Sequence, residues 1–303
     1  MLGNAPAIFS ISTPTYNRAH LLGRVYESLQ RQTFPSLEWV VIDDGSTDDT
    51  ASLVRRWQSE APFPIRYYYQ QNLGVSVAIN RAIEVAQGRF FAIIDSDDWL
   101  APNCLENAMN LWDSIDAAQQ SEYAGVCGLC ASPRGDIIGT PFPCSVIDTD
   151  FVEMRTRYRV RGDKFNIIRT EVMRDFRFPD YGVRLVPEAL LWNRIAQRYK
   201  VRCANQVLAY KDYQSDGITA NYLRWRVQSS AAFREYYREL AEFAGDAVRT
   251  RHRMRAYRDY IRFSLHSGIS LRSQCREVRR PLLWGLCVPL GFAAYIEDRM
   301  RLR

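Results

Sequence analysis

Two phosphate-cradling signatures are missing from this 303-residue chain: no GxGxxG follows its first hydrophobic run, and GxxxxGK[ST] occurs nowhere. Those loops aim backbone N–H groups at a pyrophosphate or a triphosphate, so their absence disfavours Rossmann dinucleotide enzymes and P-loop NTPases. Histidine is scarce: His20, His252 and His266 assemble no convincing Ser-His-Asp set. No run reaches the roughly 20 apolar residues of a membrane-spanning helix. No basic leader with an apolar core precedes Asn17, so a cytoplasmic location is expected. The seven cysteines are odd in number and scattered, which suggests no secreted disulfide framework. Cys127 and Cys130 form a CxxC without the second ligand pair a zinc site needs, and buried thiols are expected there. Internal repeats and low-complexity linkers are also lacking.

What is present is a globular composition, 47% hydrophobic and 24% charged. The length suits one large α/β domain with an appendage. Charge is unevenly spread. Residues 1–223 carry 23 basic and 26 acidic side chains, a balance of −3, whereas residues 224–303 carry 17 arginines and 8 acids, a balance of +9. A basic tail behind a near-neutral body points either to an anionic surface as partner or to a solvated helical appendage.

The first hundred residues alternate strand and helix signals. Strands are expected at 7–12, 38–42, 65–69 and 89–94, with helices at 19–33, from Thr47 or Asp48 to Ser59, and at 76–87 ended by Gly88. This rhythm fits βαβ units and a mainly parallel central sheet with helices on both faces. Later, 123–131 and 136–140 read as a hairpin, 165–169 and 200–209 as strands, and Pro187 as the first residue of a helix reaching Arg198. From Tyr222 the chain is helical. The expected domains are 1–220, divided into a nucleotide-binding half (1–100) and an acceptor half (101–220), and a basic helical extension, 221–303.

Three of the first four strands run into polar clusters: Thr13 to Asn17, Asp43 to Ser46, and Asp95 to Asp98. Open parallel sheets bind ligands beyond the carboxyl ends of their strands. One rim should therefore gather several carboxylates, which repel one another unless a cation intervenes. Asp95-Ser96-Asp97 is a DxD. In an extended segment its two carboxylates share a face. Hard oxygen donors suit Mg²⁺ or Mn²⁺, and such an ion usually bridges to phosphate.

These residues also carry a resemblance. Pro14-Thr15-Tyr16-Asn17-Arg18, the run Val40 to Asp48, Asn72-x-Gly74 with Ala78 and Asn80, Gly88, and Asp95-Ser96-Asp97-Asp98 together resemble the family 2 glycosyltransferases of GT-A fold, over about residues 8 to 220. The resemblance implies an inverting, metal-dependent transfer of sugar from a nucleotide-sugar, a UDP-sugar above all. Asp44 would accept the uracil N3 proton and Tyr16 would stack near the base. Pro14, Asn72 and Asp95 would complete the nucleotide site. Asp97, with Asp95, would hold the metal.

The second half, through Gly162-Asp163-Lys164, Arg169 to Val172, Val186 to Ile195 and Asp216 to Thr219, is similar to single-domain bacterial members. That similarity makes Glu188 the general base and places Asp163 and Trp192 near the acceptor, a glycan or lipid-linked glycan of cell-surface polysaccharide synthesis. No nucleic acid is expected. Asn221-x-x-Arg224-Trp225 approaches the QxxRW of processive synthases, but single addition is favoured. The alternatives are a degenerate transferase that binds glycan or membrane, and a sugar-nucleotide nucleotidyltransferase. The second of these would want a Gly-rich basic loop after the first strand.

The tail holds an uncharged stretch, residues 281–296, flanked by Arg279, Arg280, Arg299, Arg301 and Arg303. As a helix it would span roughly 24 Å, short of a hydrocarbon core of about 30 Å. Two readings stay open: a peripheral membrane contact through 279–303, or a hairpin packed back on the protein.

Overall fold

The computed structural model describes residues 7–183, 185–214, 222–244 and 248–302. Its chain order opens with β1 (Phe9–Thr15), α1 (Ala19–Gln30), β2 (Leu37–Asp43), α2 (Thr50–Glu60), β3 (Ile65–Tyr69), α3 (Val75–Val85) and β4 (Phe90–Ile93). There follow β5 (Trp99–Leu100), α4 (Cys104–Asp113), β6 (Tyr123–Ala131), β7 (Val146–Thr149), α5 (Phe151–Thr156), β8 (Lys164–Arg169), α6 (Thr170–Asp175), α7 (Glu188–Ile195) and β9 (Lys200–Tyr210). Five helices close the chain: α8 (Tyr222–Gln228), α9 (Ser230–Glu242), α10 (Thr250–His266), α11 (Leu271–Glu277) and α12 (Pro281–Arg301).

Two compact units divide the fold, and they interleave in sequence. The first takes residues 1–150, 160–177 and 198–214; the second takes 151–159, 178–197 and 215–303.

The first unit is a nine-stranded sheet ordered β3-β2-β1-β4-β8-β6-β9-β5, with β7 paired to β9. β1, β2, β3 and β4 are mutually parallel, as the βαβ rhythm predicts. Beyond β4 the sheet is mixed: β8 is antiparallel to both β4 and β6, whereas β6 and β9 are parallel. Alternation assigns the faces. Phe9, Ile11, Trp39 and Val41 join Leu22, Val25 and Leu29 of α1, Trp57 of α2, and Leu105 and Trp112 of α4 in one apolar core. The other face carries Ser10, Glu38 and Arg66, and Arg66 reaches the Val85 carbonyl at the end of α3. Helices thus cover both faces.

Gly88 is fixed by close packing. A Cβ there would lie 2.6 Å from the Ser10 amide nitrogen. Its own amide donates to Ser10 Oγ at 2.8 Å, and Ser10 Oγ donates to the buried Glu38 carboxylate at 2.5 Å. Any larger residue would push α3 and β4 off β1.

Several local expectations shift. The segment 136–140 forms only a bridge, Ala131 to Ile137, rather than a strand. Pro187 caps α7 from outside, with ψ 125°, so that Glu188 is the first helical residue, and the helix ends at Ile195. Five of the seven cysteines, Cys127 and Cys130 among them, are buried free thiols, and Cys144 and Cys275 are exposed.

The second unit is helical. Tyr257, Tyr260 and Ile261 of α10 pack on Trp284 and Cys287 of α12. At Gly291 the two helices touch so closely that a Cβ would lie 2.6 Å from Ile261 Cβ. The tail is therefore one continuous helix through Pro289, not a hairpin. Among the described residues, no helix is long and apolar enough to cross a membrane.

Candidate active site

Parallel registry brings the polar clusters to one rim, since Thr15 pairs with Asp43 and Asp43 with Tyr69. The two loops beyond β1 and β2 are stitched together. Asn17, in the left-handed region at φ 53°, donates its amide to Ser46 Oγ at 2.9 Å, and its side-chain oxygen accepts the Thr47 amide at 2.7 Å. Asparagine tolerates that backbone conformation better than most residues, which explains its place in the turn. Asp48 accepts the Ala19 amide at 3.0 Å.

Asp44 is the most tightly held carboxylate on the rim. Its Oδ1 accepts from Gln70 Nε2 at 2.8 Å and the Leu73 amide at 2.9 Å; its Oδ2 accepts from the Gly74 amide at 2.8 Å. A carboxylate offers about four acceptor positions, so Oδ2 keeps capacity for one more donor. Asn72 lies in the same loop, against Gly45. Next door, Asp43 accepts the Tyr67 hydroxyl at 2.5 Å and the Ser46 amide at 2.7 Å. Burial and that carboxylate raise the Tyr67 hydroxyl well above its ordinary value. Pro14 is buried, whereas Tyr16 is 47% exposed at the rim.

The DxD departs from the extended geometry expected of it. Residues 95–98 form a turn in which the Asp98 amide donates to the Asp95 carbonyl at 3.1 Å. The turn brings Asp98, not only Asp97, beside Asp95, and a residue outside the predicted set bridges them. Lys211 Nζ, just past β9, donates to Asp98 Oδ2 at 2.7 Å and to Asp95 Oδ2 at 3.0 Å. The Asp212 amide also reaches Asp98, at 3.2 Å. Burial opposes the charge on Lys211, but Asp95, Asp98 and Asp163 hold its ammonium well above the ordinary lysine value. Burial also pushes the Asp98 carboxyl up, against the pull of Lys211. We take the pair as ionised, because both carboxylates sit within hydrogen-bonding distance of one ammonium.

One faint signal for Lys211 existed in the sequence. The chain has only three lysines, Lys164, Lys200 and Lys211, among 40 basic residues. A compact ammonium suits a bridging position better than a planar guanidinium does.

Asp97 has no such partner in its own turn. Burial, reinforced by the Asp95 charge, raises its carboxyl, and Lys211 and Arg18 pull only weakly the other way. Among the described residues no three His, Cys, Asp or Glu side chains converge on a point. Asp97, raised by burial and by Asp95, leaves a carboxylate that a cation also held by phosphate and water would satisfy.

Asp163 accepts the Tyr213 hydroxyl at 2.8 Å, in the same unit. Glu188 and Trp192 belong to the second unit. Glu188 is exposed in the first turn of α7. Trp192 is buried, its ring 5.2 Å from that of Phe151, where it packs α5 on α7. Asn221 and the run Asp216 to Thr219 lie outside the described residues. A cleft of about 420 Å³ lies at the start of β4, lined by Arg89, Trp112, Arg169 and Arg174 among others, at the opposite end of that strand from Asp95.

Residues 10–129 match the model of Glycosyl transferase family 2. Over that segment the chain is similar to the family. The chain is 27% identical over 249 residues to a GalNAc(5)-diNAcBac-PP-undecaprenol beta-1,3-glucosyltransferase of Campylobacter jejuni, an alignment covering 79% of this chain and 75% of the relative. Further bacterial relatives align with roughly a third of the chain, and the chain spans about a third of their length or less. Among solved structures, Staphylococcus aureus TarS 1-349 in complex with UDP-GlcNAc superposes with a TM-score of 0.60 at 16% identity, covering 97% of this chain and 91% of that one. A Pyrobaculum calidifontis mannosyltransferase in complex with GDP-Man and Mn²⁺ gives 0.58 at 19% identity, over 97% and 89%. At such identities the structures speak for the GT-A fold alone.

Proposed function

We propose that this enzyme transfers a sugar, with inversion, from a UDP-sugar to a hydroxyl of a lipid-linked glycan at the cytoplasmic face of a membrane. The observation that carries the donor reading is Asp44. Three donors fix its orientation on the rim and leave acceptor capacity on Oδ2, which suits the imide N–H of uracil. Tyr16, exposed on the same rim, offers a face for stacking. Pro14 and Asn72 line the nucleoside site, with Asp95 at its phosphate end.

Asp97, helped by Asp95, is the proposed protein ligand for a divalent cation, Mn²⁺ or Mg²⁺. That cation, when bound with donor, neutralises charge on the departing diphosphate. Lys211 is already paired, so it holds Asp95 and Asp98 in place rather than substituting at Asp97. Glu188 is the proposed general base. In the first turn of α7 its carboxylate is favoured by the helix field, and it takes the proton of the acceptor hydroxyl as that oxygen attacks the anomeric carbon. Asp163 is proposed to orient the acceptor.

The acceptor class is supported by the Campylobacter relative, whose name specifies an undecaprenol-linked glycan. Screening UDP-sugars for Mn²⁺-dependent hydrolysis tests the donor reading. Hydrolysis of one UDP-sugar over the others supports it, and none with any donor overturns it. Extracted undecaprenol-linked oligosaccharides then test the acceptor.

A further inference from the structure

Helix α12 is apolar on two opposite sides, and only one of them is covered. At 100° per residue, Trp284, Cys287, Gly291 and Asp298 project along one line, and all are buried. Leu282, Leu286, Leu290, Phe292, Ile296 and Met300 project along the opposite line, with exposures of 87%, 69%, 57%, 52%, 38% and 64%. Gly285, Pro289 and Ala293 fill the spaces between them and are exposed as well. From Pro281 to Ile296 the outward face bears no charge at all. A helix that is hydrophobic all round is normally buried all round, and leucine at full exposure forfeits the burial that favours folding.

We propose that this outward stripe of α12 docks, lying flat, on an anionic phospholipid surface. Charge chooses this occupant. Arg279 and Arg280 stand just before the stripe and Arg299 and Arg301 just after it, all exposed. Of the two acids near the end of the helix, Asp298 is turned inward and buried, paired with Arg262 of α10 and with His266 Nε2 at 3.0 Å, and only Glu297 faces out. The result is an apolar stripe bracketed by arginines, the pattern of a helix that lies in a headgroup layer. Spanning is excluded by the seat on α10, because the inner face is committed to Tyr257, Tyr260 and Ile261. Arginine stems can lie along the apolar boundary while their heads stay among phosphates. The dock would hold the chain at the surface where a lipid-linked acceptor is found, but it needs neither donor nor acceptor to form.

The test is co-sedimentation of the full chain, without substrate, with vesicles of phosphatidylglycerol and phosphatidylcholine and with vesicles of phosphatidylcholine alone. Binding is expected on the anionic vesicles, weaker on neutral ones and weakened by salt. The double variant Leu286→Asp/Leu290→Asp changes only exposed positions, and its circular dichroism and melting should match the parent. It should lose at least roughly tenfold in vesicle affinity. Arg279→Gln/Arg280→Gln should lose about fivefold per arginine and should flatten the salt dependence. Parent protein left in the supernatant with anionic vesicles overturns the proposal, as does equal binding by the leucine variant. A concentration-dependent dimer in sedimentation velocity, abolished in the leucine variant, would assign the stripe to a second copy instead. UDP-sugar hydrolysis by the same variants stays at parental level in either case, so failure here is distinct from failure of the donor reading.

Discussion

Lys211 Nζ stands 2.7 Å from Asp98 Oδ2, and both side chains are largely removed from solvent, at 19% and 5% exposure. Two carboxylates of one turn, Asp95 and Asp98, thus share the Lys211 ammonium. Removing one member of a buried pair leaves the other uncompensated and typically costs about 3–5 kcal/mol. Lys211→Met should therefore lower the denaturant midpoint strongly with an unchanged slope. A midpoint within error of the parent would mean that Asp98 is protonated and the contact is not an ion pair.

Asp44→Asn replaces one acceptor oxygen by an NH₂ group, which then faces a donor: Gln70, Leu73 or Gly74. A buried donor left unpaired costs about 1–3 kcal/mol. We expect a lower melting temperature together with a loss of UDP affinity, read by calorimetry. Loss of stability with full UDP affinity would reduce Asp44 to a loop anchor.

Asp97 behaves in the opposite way. Its carboxyl is raised by burial and by Asp95, so it is under repulsion when ionised. Asp97→Ala should leave the melting temperature equal or slightly higher while abolishing the Mn²⁺-dependent part of UDP binding. Unchanged Mn²⁺ dependence would remove Asp97 from the cation site.

Glu188→Gln keeps shape but cannot accept a proton. Donor affinity should persist and transfer should fall about 10²–10⁴-fold. Turnover close to the parent's would pass the role to another carboxylate.

The gathering of the β1 and β2 polar clusters at one rim is legible in the sequence because its signals are local. Asp44 follows a hydrophobic strand, and parallel pairing aligns strand ends regardless of what comes later. The Asp95–Asp98 turn was misread as extended, because three acids at a strand end do not reveal which side chain will find a counter-charge. That counter-charge, Lys211, comes from 113 positions later in the sequence, a pairing no window of spacing can show. For the same reason the interleaving of the two units was invisible: α5 and α7 carry ordinary helical patterns whose partners, such as Glu239 for Arg194, lie on a distant helix. The tail was half legible: its apolar run is plain in the sequence, but nothing there marks Gly291 as the contact that seats α12 on α10.

That seat should make the chain sensitive to acid. Burial lowers the His266 imidazole below its ordinary value of 6.5, with Asp298 pulling the other way. Burial pushes the Asp298 carboxyl up, but Arg262 and His266 outweigh it and hold it below 3.8. At neutral pH His266 is therefore uncharged and donates its Nε2 proton to Asp298, while Arg262 supplies the compensating charge. As pH falls below about 6.5 the unfolded chain takes up a proton that the folded chain resists, so stability declines until the folded pKa is passed. Asp298 contributes stability above 3.8 that is lost as pH falls through its own depressed value. Both effects act in the same direction. His252, lowered by burial and by Arg251, adds to the upper window. The His266 and His252 contributions should accordingly fall between pH 7.5 and 5, against the opposite pull of the raised Asp97 and Asp98 carboxyls, and the Asp298 contribution should fall below pH 4. His266→Gln should shallow the upper step without removing it, leaving the share that belongs to His252. A melting profile from pH 7.5 to 5 that is the same in the parent and in His266→Gln would mean that the imidazole at the α10–α12 seat titrates as it does in the unfolded chain.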